Sequence, residues 1–227
     1  MRKTMPYQLE KWIWSEADSE QMDWHDATIY ATQFGQDISF DIDYIFEWVQ
    51  ADKNDFFSFV VAPVTLVFRE PTIIKFDLDF RLGQKIKVED LHRTNSATGD
   101  TQWSLETHQG DIFITAETFR QIVRRLPTLQ IGQQLSPEER GDSYFSTVPE
   151  LDFVVPEKVT RMKDAEFALR QKSTEIRYLQ RQLEILREQR SVGMLEVKQY
   201  LLEKRETEKK IRDLSHQFRS TDWQDIL

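Results

Sequence analysis

The residues with the most chemical reach in this chain are Asp23, His25 and Asp26, in the run Met-Asp-Trp-His-Asp-Ala, followed by the pair Asp41 and Asp43. An imidazole and carboxylates can share a divalent cation, and two aspartates at i and i+2 of a strand point to the same side. Paired carboxylates are also the equipment of hydrolases. The spacing argues for less. No His-Glu-x-x-His, paired-histidine or calcium-loop pattern is present, and acidic outer faces of strands are ordinary in an acidic domain. His25, between Trp24 and Asp26, reads as part of a hydrogen-bonded strand start. His92 and His108 lie in or beside turns, no Gly-x-Ser-x-Gly occurs, and the seven glycines are too scattered for a phosphate loop. With no cysteine, thiolate catalysis, disulfides and cysteine zinc sites are excluded. The expectation is no catalytic, metal or cofactor residue.

Binding residues are easier to nominate. Trp12 and Trp14 point the same way in an extended segment, where they are core or else an exposed strip. Asp41 and Asp43 fall on what alternation makes the wet face of their strand. Trp223, with Ile226 and Leu227, ends a polar tail over 220–227 that docks back or is offered to a partner. Trp12, Trp14, Asp41, Asp43 and Trp223 are therefore the candidate partner-binding residues.

Composition divides the chain that must position them. All seven prolines and six of the seven glycines precede Glu157, after which Lys, Arg, Glu, Gln and Leu alternate densely. Residues 1–156 carry 14 Lys and Arg against 26 Asp and Glu, a net of −12, while residues 157–227 carry 16 against 13, a net of +3. An acidic surface repels phosphate backbones and steers basic proteins toward it, so the first domain is not expected to bind nucleic acid. The N-terminal run turns amphipathic and acidic where a signal peptide would stay apolar, and no apolar run approaches the ~20 residues of a membrane span. The expectation is a cytoplasmic protein that does not enter membranes.

Within an acidic β-rich domain over 1–150, residues 26–34 and 38–45 read as a hairpin about Gly35-Gln36. Ile38, Phe40, Ile42 and Tyr44 share the core face, with Ser39, Asp41 and Asp43 opposite. Residues 57–69 form a strand whose Pro63 belongs at an edge, a bulge or a start. Residues 72–81 alternate cleanly, and 102–108 with 111–115 make a second hairpin about Gln109-Gly110. A helix is then expected from an N-cap at Thr115, with Phe119, Ile122, Val123 and Leu126 in one stripe and Pro127 as its stop. The fold class is α+β: an antiparallel β-sandwich or open barrel with one packed helix, followed by a long helical arm.

The arm spans 157–219. A 3,4 spacing runs through Met162, Ala165, Leu169, Lys172, Ile176, Leu179, Leu183 and Leu186, then Arg190, Gly193, Val197, Tyr200, Lys204, Thr207, Ile211, Leu214 and Phe218. That is a coiled-coil seam, and Leu169, Ile176, Leu179, Leu183, Leu186, Val197, Ile211 and Leu214 are its candidate interface residues. The kept phase favours one helix of about 60 residues, roughly 90 Å long at 1.5 Å per residue. An antiparallel hairpin folding at 191–193 is the alternative. A second apolar line, Tyr178, Ile185, Val192, Leu195 and Leu202, lies off the seam and calls for further helices or a docking partner.

The stretches MDWHDATIY (22–30), FDIDYIFEW (40–48) and APVTLVF (62–68), with GDIFITAETFRQ (110–121), resemble a set of small bacterial β-rich proteins of unknown function. The likeness covers about 12–140. It implies a bacterial setting and a compact β-rich fold, and it brings no activity, while the arm departs from it. The expected function is a bacterial cytoplasmic protein–protein interaction or assembly protein, an oligomer or complex subunit. In it the coiled coil oligomerises or docks, and the acidic domain binds a protein. A neutraliser of a basic toxin or nuclease, and a hydrolase using His25 with Asp41 and Asp43, are the alternatives.

Overall fold

A computed structural model describes residues 7–50, 57–82, 85–95, 100–141 and 145–219. The chain separates into two compact units, with the division between Val155 and Pro156.

Among the described residues the first unit has ten antiparallel strands: β1 Ile13–Ser15, β2 Thr28–Phe34, β3 Ile38–Val49, β4 Ser58–Phe68, β5 Ile73–Leu78, β6 Ile86–Asn95, β7 Thr101–Thr107, β8 Gly110–Thr115, β9 Phe119–Val123 and β10 Thr128–Gln130. Their order is β1-β9-β4-β3-β2-β6-β7-β8-β5, with β10 added beside β4. The two hairpins foreseen at Gly35 and Gly110 are β2–β3 and β7–β8. The path is joined at its middle by only two residue pairs, Thr28 with Lys87 and Ile29 with Ile86. This lets β6-β7-β8-β5 fold over the other strands as a sandwich. Ile38, Phe40, Ile42 and Tyr44 of β3 meet Val88, Trp103, Leu105, Ile112 and Ile114 from the second layer in one core, with Trp24 and Phe119 between them. The α+β class stands: antiparallel β-structure, one short helix α1 at Pro137–Arg140, and a helical arm.

Three local expectations are corrected. The segment from Thr115 to Pro127 is not a helix: Phe119–Val123 is β9, paired with β4 on one side and β1 on the other. Five residues are too few to separate a period of two from one of 3.6, and β9 buries Phe119, Gln121, Ile122 and Val123 between the ladders that β4 and β1 offer. Pro63 sits inside β4, not at its end. Its carbonyl accepts from the N–H of Arg124, so the proline nitrogen, on the same side, faces the gap where β9 gives way to β10 and no ladder donor is needed. Third, the outer face of β3 is not wet, because residues of 131–141 lie across it, as Ser146 does across the neighbouring β4.

The arm is two helices, α2 Glu157–Ser191 and α3 Val197–Arg219, with α3 packed back along α2. The continuous helix favoured by heptad phase gives way to the hairpin. Gly193 is the reason: at φ +75° it follows Val192, its N–H donates to Arg190 O, and the N–H of Met194 donates to Gln189 O at 2.9 Å. Those two bonds are a Schellman cap, which satisfies the last carbonyls of α2 and turns the chain. Among the described residues no helix is long and apolar enough to cross a membrane.

Candidate functional site

The densest chemistry among the described residues lies under residues 131–141 and 145–155. β3 projects Asp41 and Asp43 to its outer side, as alternation requires, yet both are fully buried. Asp41 accepts from Arg124 through Oδ1 and from Arg140 Nη2 at 2.7 Å through Oδ2. Asp43 accepts from Arg140 Nε at 3.0 Å through Oδ1. Its Oδ2 takes the Tyr30 hydroxyl at 2.9 Å and the backbone N–H of Leu135 at 2.9 Å. The Arg140 guanidinium lies 3.4 Å above the Tyr30 ring. Tyr30 can reach inward because β2 shifts register between Ile29 and Ala31.

Arg140 is delivered by α1. Ser136 caps that turn, taking the N–H of Glu139 while the Glu139 carboxylate takes the N–H of Ser136. Glu139 also receives Gln130 Nε2 at 3.0 Å and Thr128 Oγ1 at 3.2 Å. Beside it Arg125 holds Glu150 at 2.7 Å, donates to the carbonyl of Glu139 at 2.9 Å, and lies 3.4 Å over the ring of Phe153. Gly141, at φ +73°, leaves the room Arg125 occupies; a Cβ there would fall 1.9 Å from its Nη2.

Burial pushes the Asp43 carboxyl above its ordinary range, against the pull of Arg140 and its hydrogen bonds. Burial likewise lowers the Arg124 guanidinium despite Asp41. Desolvation thus opposes both charges, as expected of buried ion pairs, whose geometry fixes one arrangement more than it stabilises the fold. Every oxygen of the two aspartates is engaged from within the chain. The arrangement is a clamp that holds residues 131–141 to the sheet, and among the described residues both carboxylates are turned wholly inward.

Asp41 and Asp43 are therefore withdrawn as partner-binding residues. The exposed strip of Trp12 and Trp14 is withdrawn too: Trp14 is buried, its indole N–H donating to Lys11 O at 3.0 Å, and Trp12 packs on the core. Trp223 lies outside the described residues. His25 is exposed, stacked on Trp48 with ring centroids 5.8 Å apart, and 3.7 Å from Asp26. Asp26 in turn accepts Gln133 Nε2 at 2.7 Å. Asp23 accepts the N–H of His25 and gives its own N–H to the Tyr44 hydroxyl. These residues organise the entry to β2 and are not gathered about Asp41 and Asp43. Among the described residues no group of three or more His, Asp or Glu could hold a metal ion.

In the arm the seam is spent largely inside the chain. Leu186 is buried and Leu169, Ile176, Leu179, Leu183, Ile211 and Leu214 are half-buried, whereas Val197 is exposed. The second line is divided by the turn: Tyr178 and Ile185 lie on α2, Val192 and Leu195 between the helices and Leu202 on α3, and all but the half-buried Leu195 are 37 to 66% exposed.

Reasoning from sequence missed Arg124, Arg140, Tyr30 and Glu139. The signal for the last was present, since Ser136-Pro-Glu-Glu139 is a capping box. Fold and clamp together define the chain as an acidic β-sandwich carrying a helical hairpin. Compared with family models, with curated proteins and with solved structures, it matches none.

Proposed function

We propose that this chain is a protein–protein interaction and assembly protein of the bacterial cytoplasm, with no catalytic step of its own. The observation that carries the reading is the set of apolar side chains that the hairpin leaves exposed, Tyr178 and Ile185 seven residues apart on α2, Val192 at its end and Leu202 on α3, beside a seam that is itself half-buried. A helix pair that leaves apolar side chains exposed outside its seam offers surface to further helices. The sandwich contributes charge. Its buried clamp holds two acids and two bases, so the excess of twelve acids in residues 1–156 belongs to the other side chains, where it favours a basic protein surface through long-range fields.

The test is light scattering and crosslinking mass spectrometry on the full chain and on a Tyr178→Gln, Ile185→Gln, Leu202→Gln variant. These exposed positions can change without unfolding the hairpin. Loss of association or of crosslinks through the arm is expected. An unchanged mass and crosslink pattern overturns the reading.

A further inference from the structure

β5 ends the sheet. β8 lies along one side of it, and among the described residues no strand lies along the other. The register determines which groups are left open. Ile73 stands opposite Thr115 and Asp77 opposite Asp111, and in the same register the N–H of Asp79 donates to the carbonyl of Gln109. Residues of an antiparallel ladder alternate between those that bond the neighbour and those that face away. Odd-numbered residues from Ile73 to Asp79 are thus committed to β8. The N–H and C=O of Ile74, Phe76 and Leu78 point to the open side.

That side is apolar at its margin. Phe76 is 39% exposed and meets the 65% exposed Phe34 of β2 edge to face, and Ile73 and Phe80 are also exposed. Lys75 and Asp77 stand on the opposite face of the strand, exposed and paired at 3.0 Å, and Asp79 is paired with Arg81. Two bases therefore balance two acids along this edge of an otherwise strongly acidic domain, so here two copies can approach without the repulsion that acts elsewhere.

We propose that β5 pairs antiparallel with β5 of a second copy about a two-fold axis through Phe76, joining two sandwiches into one continuous sheet. The open backbone groups allow only registers that set even-numbered residues opposite even-numbered ones. With Phe76 opposite itself, Ile74 meets Leu78 of the other copy, and Lys75 meets Asp77 twice in the closer, non-bonded pairing. A slip of two residues one way sets Lys75 against Lys75, and a slip the other way sets Asp77 against Asp77. Charge selects the first register, and the contact is isologous, so it closes at two copies. This goes beyond the arm-mediated assembly proposed above and does not depend on it.

The chain has no cysteine, so single cysteines report cleanly. Full-length Lys75→Cys and Asp77→Cys chains, mixed under mild oxidation, are expected to form a mixed disulfide at least tenfold faster than Ile73→Cys forms one with itself, because Ile73 faces its own copy from six residues away. A mixed disulfide no faster than that control overturns the proposal, whatever the arm does. In the cysteine-free chain, Lys75→Asp and Asp77→Lys are each expected to associate at least tenfold more weakly than their equimolar mixture, in which every cross-strand pair is again of opposite charge. A mixture no tighter than its components by sedimentation overturns it as well.

Discussion

The two units bury their apolar side chains very differently. In the sandwich β4 is covered on both faces, its even positions by the second layer and its odd positions by residues of 131–141 and 145–155, so from Phe59 to Phe68 it reads as an apolar run broken by Thr65 alone. In the arm, among the described residues, Leu186 is the one apolar side chain that counts as buried. The sandwich holds itself together and uses a buried charge clamp to fix a single placement of its covering segment. The arm is held by helix propensity, a thin seam and a glycine cap, and helices of that kind draw most of their stability from what packs on them. Self-sufficiency in one unit and exposed apolar side chains in the other are what the assembly role proposed above calls for.

The contrast breaks most sharply at Arg140. Arg140→Met leaves Asp41 and Asp43 buried without their shared cation, and removing one partner of such a network costs about 3 to 5 kcal/mol. Urea unfolding followed by the fluorescence of the buried Trp24 and Trp103 should register that loss while the helical signal of the arm persists. Gly141→Ala tests the same clamp more gently. Its φ of +73° and the 1.9 Å approach to Arg125 predict a loss of about 1 to 3 kcal/mol, read by the same titration.

Alkaline pH acts on the sandwich core through Tyr44. Burial, ahead of the Asp23 carboxylate, raises its phenol above the ordinary value. A group raised on folding contributes stability below its unfolded value near 10 and loses it as pH climbs past that value, because the unfolded chain then binds fewer protons. Tyr44 alone should cost the sandwich up to about 1.4 kcal/mol per pH unit above 10, and Tyr30, whose phenol is also raised by burial and by Asp43, adds to that loss, measured by urea titration at pH 9, 10 and 11. Tyr44→Phe should reduce that slope, leaving the share of Tyr30.

How much of this was legible in the sequence follows from which interactions were local. β2, β3, β5, β7 and β8 announce themselves by alternation and turn residues, and the seam of the arm by its spacing. What failed was set by distant partners. Asp41 and Asp43 look wet along β3 because nothing nearby says that Arg124 and Arg140, 83 and 99 residues from Asp41, will cover them. Phe119–Val123 is short enough to fit either period until β4 and β1 choose. Lone strands such as β1 and β10, three residues each, carry almost no pattern of their own.

The smallest expected effect is at Gly193, and its sign separates the two shapes of the arm. If α2 ran on through this position as one helix, Gly193→Ala would stabilise it by about 1 kcal/mol, the difference in helix propensity. In the hairpin, Gly193 occupies the left-handed region at φ +75°, and an added Cβ would meet nothing within 4 Å, so the substitution changes backbone energy alone. Alanine is disfavoured there by about 1 kcal/mol. Thermal melting of the full chain, followed by the helical circular dichroism signal, should therefore show the arm melting lower, with the fluorescence of Trp24 and Trp103 unmoved. A rise in the helical midpoint would mean that the arm is one continuous helix and that the Schellman cap at Gly193 does not form in solution.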